Sequence, residues 1–260
     1  MKHQARKRFG QNFLIDPASI GAIVAAINPL PGERLVEIGP GLGALTRPLI
    51  AAAGALEAIE IDRDLASGLI NTFGNRLTLH TVDVLDFDFD SLGDDLRIIG
   101  NLPYNISTPL LFHLTKYTKR LRDIHVMLQK EVVERMVAAP GASNYSRLSV
   151  MLQYRFQMEK LLDVPADAFD PVPQVDSAVV RLLPLRSQPL VARDEAQFQR
   201  VVAAAFSQRR KTLRNSLKSI VGTATLDALG ISPSARAQEL SVAQFVALAD
   251  HVTADAGMQG

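Results

Sequence analysis

From Arg34 to Ala138 the chain repeats one pattern, a short apolar run followed by a stretch that reads as a helix. RLVEIG (34–39) leads into GPGLGALT (39–46), and LEAIEID (56–62) leads into a helix from Asp62 through Phe73. LTLHTVD (77–83) and RIIGN (97–101) precede a helix from Ser107 to Tyr117, which Ser107 is expected to cap. DIHVMLQ (123–129) and the helix EVVERMVA (131–138) close the series. Such strands bury both faces, and their alternation with helices calls for right-handed βαβ units. The expected fold class is therefore α/β, a doubly wound, mostly parallel sheet. Upstream, Asp16 and then Pro17 make a helix start, an N-cap and a preset first position. Ile20, Ile23, Val24 and Ile27 share one face of that helix.

The rhythm changes after Pro140. LSVMLQYRF (148–156) and AVVRLLPL (178–185) read as strands, an antiparallel addition at the sheet edge. PLRSQPLVARD (184–194) reads as a linker, and beyond it the chain reads as helices only, punctuated by Gly222, Gly230 and Pro233. The expected organisation is a catalytic, cofactor-binding domain over 1–185 and a small all-α domain over 186–260.

The chain has no cysteine, which excludes disulfides, thiolate metal sites, iron–sulfur clusters and thiolate nucleophiles. No apolar run approaches the roughly 20 residues that span a bilayer. MKHQARKRFGQNFLID (1–16) lacks the apolar core of a secretory signal, so the expected compartment is cytoplasmic. The net charge is only +1, and its distribution says more. Lys2, Arg6, Lys7 and Arg8 form one basic cluster without an acid, and Arg209, Arg210, Lys211, Arg214 and Lys218 form another. Two such clusters on a near-neutral chain point to a polyanion partner. In RKTLRNSLKSIV (210–221), Arg210, Lys211, Arg214 and Lys218 would share one helix face, opposite Leu213, Leu217 and Ile220.

Gly39, Gly41 and Gly43 sit between a buried strand and a helix start, where glycine lets the backbone approach a ligand. Gly39, Gly41 and Ala44 also satisfy a dinucleotide fingerprint. Glu60 lies about 20 residues further on, where an acid meets ribose hydroxyls, and Asp83 follows the third strand at the same sheet edge. These residues describe a nucleoside site, and they leave a nicotinamide cofactor and S-adenosylmethionine both open.

Asn101-Leu102-Pro103-Tyr104, after the fourth strand, separates the two. The amine of adenine is a poor nucleophile because its lone pair is delocalised into the ring. Two acceptors aimed at its N–H bonds favour a pyramidal nitrogen. The Asn101 side-chain oxygen can be one acceptor and the Leu102 carbonyl the other. Pro103 restricts Leu102 to extended conformations, and Tyr104 can stack on the base. Phe169, in the proline-punctuated FDPVPQVDS (169–177), is expected to close the base's other face. An adenine would have to leave its stack to enter such a pocket.

With GQNFLID (10–16), VEIGPGLGALT (36–46), IEID (59–62), GNLPYNISTPLLFHL (100–114), MLQKEVVERM (127–136), FDPVPQVDSAVVRL (169–182) and FSQRRKTLRNSL (206–217), the sequence resembles the KsgA-type ribosomal RNA adenine dimethyltransferases. These are related to the Erm resistance methyltransferases. The resemblance implies a Rossmann-like methyltransferase sheet, a helical C-terminal domain and S-adenosylmethionine as cofactor. It implies N6,N6-dimethylation of two adjacent adenosines near the 3′ end of small-subunit rRNA, with LPYNIS and FSQRRKTLRNSL favouring the assembly enzyme. It places Asn12, Leu14, Gly39, Glu60, Asp83 and Asn101 around the cofactor and Asn101, Leu102, Tyr104 and Phe169 around the adenine. FSQRRKTLRNSL would face the RNA, and Gly43 would vary most easily. The expected partner is rRNA in a partly assembled small subunit, bound by a monomer and without metal. A non-catalytic RNA-binding factor and a nicotinamide oxidoreductase are the rival readings.

Overall fold

The computed structural model describes residues 11–187 and 190–258. The chain divides into two compact units, 1–133 with 157–184 and 134–156 with 185–260. The sequence places a single boundary at 185–186. In the structure the segment 134–156 also leaves the first unit and joins the second.

The first unit is built on a seven-stranded sheet of order β4-β3-β2-β5-β6-β9-β7. Its strands are β2 (Leu35–Ile38), β3 (Leu56–Ile59), β4 (Leu77–His80), β5 (Leu96–Asn101), β6 (Leu121–Gln129), β7 (Phe156–Val164) and β9 (Ser177–Pro184). A separate pair joins β1 (Phe13–Leu14) to β8 (Phe169–Asp170), antiparallel, with Phe13 opposite Asp170 and Leu14 opposite Phe169. β2 to β6 pair in parallel, and β9 runs antiparallel to β6. The antiparallel addition is thus present, with β9 one place in and β7 at the edge. Every residue of β2 is buried, as a central parallel strand requires.

α2 (Thr46–Ala53), α3 (Arg63–Phe73) and α4 (Ser107–Leu114) connect parallel strands, while α1 (Pro17–Ile27) precedes β2 and α5 (Lys130–Met136) follows β6. Asp16 caps α1 by accepting from the Ser19 N–H at 2.7 Å, and Ile23 and Ile27 are buried on its core face. Asp62 caps α3, which buries Leu65, Ala66, Leu69 and Phe73. α4 departs from expectation. Its N-cap position is Ile106, and the Ser107 hydroxyl instead donates to the Tyr104 carbonyl at 3.1 Å.

The second unit contains α6 (Arg147–Gln153), α7 (Glu195–Ala205), α8 (Leu213–Ser216), α9 (Thr223–Ala228) and α10 (Val242–Met258). Two readings are corrected here. LSVMLQ is helix α6, not strand. Leu148 through Leu152 are all buried, so the run shows no polar face and carries no period. The local signal is the cap, in which the Ser146 N–H donates to Ser149 Oγ at 2.9 Å. The second correction is RKTLRNSLKSIV, where only Leu213–Ser216 is helical. Thr212 is extended and bridges Arg236, while the Leu213 and Arg214 N–H groups donate to the Ala235 and Pro233 carbonyls at 2.8 and 3.1 Å. Those remote partners satisfy the donors that a longer helix would have used. Leu213 and Leu217 are still buried, and the cations around them are exposed.

At the amino-terminal edge of the sheet Arg97 of β5 is buried among acids. It makes a bidentate contact with Asp123 of β6, at 3.0 Å from both Nε and Nη2, and reaches Glu33 at 2.5 Å. It also donates to the Ile27 carbonyl at 2.7 Å, which ties the end of α1 to β5. Arg97→Met should destabilise the protein by about 3–5 kcal/mol, because two carboxylates lose their buried partner. Urea unfolding measures this, and Arg97→Lys should recover only part of it, since one ammonium cannot make the forked contact.

Candidate active site

The strand order reverses between β2 and β5, and at their carboxyl ends the connections leave in opposite directions. A cleft opens there, as doubly wound sheets require. Its volume is about 140 Å³, and its walls come from the first unit alone. The register Ile38 opposite Gly100 sets the start of the glycine loop against Asn101.

The loop is built from Gly39, Gly41 and Gly43, with φ of +67°, +60° and +83°. A side chain on Gly41 would also meet the Phe13 ring at 3.2 Å, so the arm and the loop are packed edge to edge. A side chain at Gly43 would be strained. Besides its positive φ, a Cβ there would lie 3.1 Å from the Phe73 ring and 3.3 Å from Leu69.

Glu60 and Asp83 both line the cleft. Glu60 is buried and accepts from the Asp62 N–H at 2.9 Å and the Gly41 N–H at 3.3 Å, so it also braces the loop. Burial raises its pKa above the ordinary value. Asp83 accepts from the Leu85 N–H at 2.9 Å. A third acid, Glu37, was missed in the sequence. It sits inside the apolar strand LVEI, is 2 % exposed, and accepts a 2.6 Å hydrogen bond from the Thr46 hydroxyl. Burial, reinforced by the charge of Glu60, pushes Glu37 up to about 7. A lone acid in a strand that buries both faces was the available signal.

Residues 11–14 form part of the cleft wall, where composition and charge alone suggest a basic tail. Asn12 and Leu14 line it, and the Asn12 carbonyl accepts from Asn101 Nδ2 at 3.0 Å. Gln11 reaches Asp62 at 3.5 Å. Asn101, Leu102, Pro103 and Tyr104 all face the same cleft, and the Tyr104 hydroxyl meets Ser177 Oγ at 2.9 Å.

Phe169 is not brought to this wall. It is 1 % exposed and packs in the core cluster with Leu14, Met127 and Val179. Across β1 and β8 it pairs with Leu14, which lines the cleft. Lys7 and Arg8 lie outside the described residues. Arg209, Arg210, Lys211, Arg214 and Lys218 are exposed on the second unit, and Arg209 donates to the Ser143 carbonyl.

A Gly-rich turn with carboxylates beside it, facing an Asn-Leu-Pro-Tyr turn across the switch point, belongs to the Rossmann-like methyltransferases. Residues 2–254 match the family model for ribosomal RNA adenine dimethylase. A ribosomal RNA small subunit methyltransferase A from Thiobacillus denitrificans is 61% identical over 95% of this chain and 97% of its own. One from Aromatoleum aromaticum is 57% identical over 97% and 96%. Among solved structures, a dimethyladenosine transferase from Plasmodium falciparum superposes with TM-score 0.79 at 27% identity, covering 91% of this chain and 95% of that one. The 23S rRNA methyltransferase ErmE gives 0.73 at 25% identity over 93% and 100%. The chain belongs to the ribosomal RNA adenine dimethylase family, and S-adenosylmethionine is its methyl donor.

The raised pKa of Glu37 gives a stability test on the ligand-free protein. Its value is about 7 in the folded chain against 4.5 as a free side chain. The folded state therefore holds the proton more tightly. The contribution is complete below about pH 4.5, falls as pH rises toward 7 and is gone above it. Glu37→Gln, which never ionises, should gain on the wild type across that window, by up to about 3 kcal/mol. Melting curves from pH 4 to 8 measure the difference, and parallel curves would refute it.

Proposed function

We propose that this chain places two methyl groups on N6 of each of two adjacent adenosines near the 3′ end of small-subunit rRNA. The observation that carries the reading is the amide of Asn101. Its Nδ2 donates to the Asn12 carbonyl at 3.0 Å, which leaves Oδ1 as the group able to accept from an amine. The Leu102 carbonyl is the second acceptor, aimed by the restriction that Pro103 imposes. Tyr104 stacks on the base, its ring held by Ser177.

The cleft fits S-adenosylmethionine. The glycine turn would take its polar end, Glu60 and Asp83 its ribose, and Asn12, Leu14, Gly39 and Asn101 would line it. When bound, it supplies a methyl group on a sulfonium. The residues then need only orient the amine, because the methylated nitrogen is acidic enough to lose its proton afterwards. No side chain has to act as a strong base.

The exposed cations of the second unit, with Lys7 and Arg8, would hold RNA phosphates and set register without reading sequence. Family membership supports rRNA as the substrate. A partly assembled small subunit as the form acted on, a monomeric enzyme and a cytoplasmic site of action complete the proposal.

Asn101→Ala should lose roughly a hundredfold or more in methyl transfer, the scale for removing one preorganised polar group from a site. The protein should remain folded. Tyr104→Ala should lose less, since stacking is worth about 1–3 kcal/mol. Mass mapping of methylated adenosines checks both, and near wild-type turnover by Asn101→Ala would refute the two-acceptor account.

Replacing Arg210 and Arg214 with alanine should weaken RNA binding and leave cofactor affinity unchanged. The logarithmic salt slope should fall by about one unit per phosphate contact removed. RNA titrations at several salt concentrations, run beside melting curves, test this. An unchanged slope with a lowered melting temperature would make the cluster structural.

A further inference from the structure

We propose that residues 171–176, between β8 and β9, form an apolar wedge that packs against an RNA base next to the extruded adenine. The proposal rests on the reading of Asn101, Leu102 and Tyr104 as the adenine site.

Position is the first argument. β8 pairs with β1 so that Asp170 lies opposite Phe13, and the chain leaving Asp170 continues on the Asn12 side of that pair. Asn12 is the residue that holds Asn101. Seven residues after Asp170 the chain reaches Ser177, which holds the Tyr104 hydroxyl at 2.9 Å. The segment therefore begins beside one end of the Asn-Leu-Pro-Tyr turn and finishes beside the other.

Chemistry is the second argument. Val172 and Val175 are 64% and 46% exposed. Residues 171–175 carry no charge, and Pro171 and Pro173 stiffen them. Such a tip brings no cation to a phosphate. It does offer apolar surface to the face of a base. Extruding an adenine leaves its neighbours unstacked, and an inserted aliphatic side chain restores part of the lost contact.

Rigidity is the third. The Lys130 N–H donates to the Asp176 carbonyl at 3.0 Å, and Asp176 Oδ1 accepts from the Ala166 N–H at 3.0 Å. With Ser177 bonded to Tyr104, the carboxyl end of the segment is pinned to three different elements. A wedge must be held from behind to keep bases apart.

The test uses the full-length protein and a partly assembled small subunit whose rRNA carries 2-aminopurine in place of one of the two adjacent adenosines. The wild type should raise 2-aminopurine fluorescence as the base leaves its stack. Val172→Ser combined with Val175→Ser should lower that rise and kcat/KM by roughly fivefold or more, the scale of losing an inserted side chain. S-adenosylmethionine affinity by calorimetry, the melting temperature and the salt slope of RNA binding should not move. Leucine at both positions should restore the signal. Wild-type fluorescence and kcat/KM in the serine variant would overturn the wedge and leave the adenine site standing. A parallel loss of cofactor affinity or melting temperature would overturn it too, by showing that the valines serve the fold. No fluorescence change with the wild type would instead overturn the adenine-site reading beneath it.

Discussion

Everything at the site follows from the parallel pairing of β2 with β5. Ile38 lies opposite Gly100, so the glycine loop that leaves β2 and the Asn-Leu-Pro-Tyr turn that leaves β5 start at the same height of the sheet. Because the order reverses between these strands, one connection runs toward β3 and the other toward β6. The space between them is the cleft. A slip of one residue would turn every side chain of β5 to the other face and separate the two motifs. The Arg97 cluster guards against that slip from the opposite edge. It fastens β5 to Asp123 of β6 and to the end of α1 through contacts that allow one register.

The two edges of the sheet carry opposite electrostatic arrangements. At the amino edge the acids are matched, since Arg97 and Arg122 take up Asp123 and Glu33. At the carboxyl edge Glu37 and Glu60 are both buried, the charge of Glu60 adds to the cost of ionising Glu37, and their bonds come from a hydroxyl and backbone amides rather than from cations. A positive charge placed beside such acids would favour their ionised forms.

The parts of the fold that were legible in the sequence are those whose cause is local. Glycines at a strand end, an acid about 20 residues on, and Asp16 before Pro17 each act through neighbours in the chain. The parts that were not legible depend on remote partners. Leu148 through Leu152 of α6 are all buried, so that run has no polar stripe to reveal a helical period. After Arg210 only Leu213–Ser216 is helical, and the first N–H groups of that turn bond the remote Ala235 and Pro233 carbonyls. Gly43 looked replaceable until Phe73, a full helix away, proved to fill the space beside it. Glu37 was hidden by the apolar residues around it, although an acid in a fully buried strand is itself the anomaly that marks it.

Phe169 is the instructive case, because it is buried behind residues that line the cleft. Its ring lies in the core, where it backs Leu14 and fixes β1 against β8. Through that pairing it positions Asn12, whose carbonyl decides which end of the Asn101 amide is left to accept. Eight residues further on, the same segment supplies Ser177 to the Tyr104 hydroxyl. One stretch of chain thus orients both the acceptor and the stacking ring without lining the cleft through Phe169 itself. Removing the Phe169 ring would act on the amine by loosening β1, so cofactor contacts through Asn12 and Leu14 would weaken together with base recognition. A residue that merely stacked on the base would spare the cofactor.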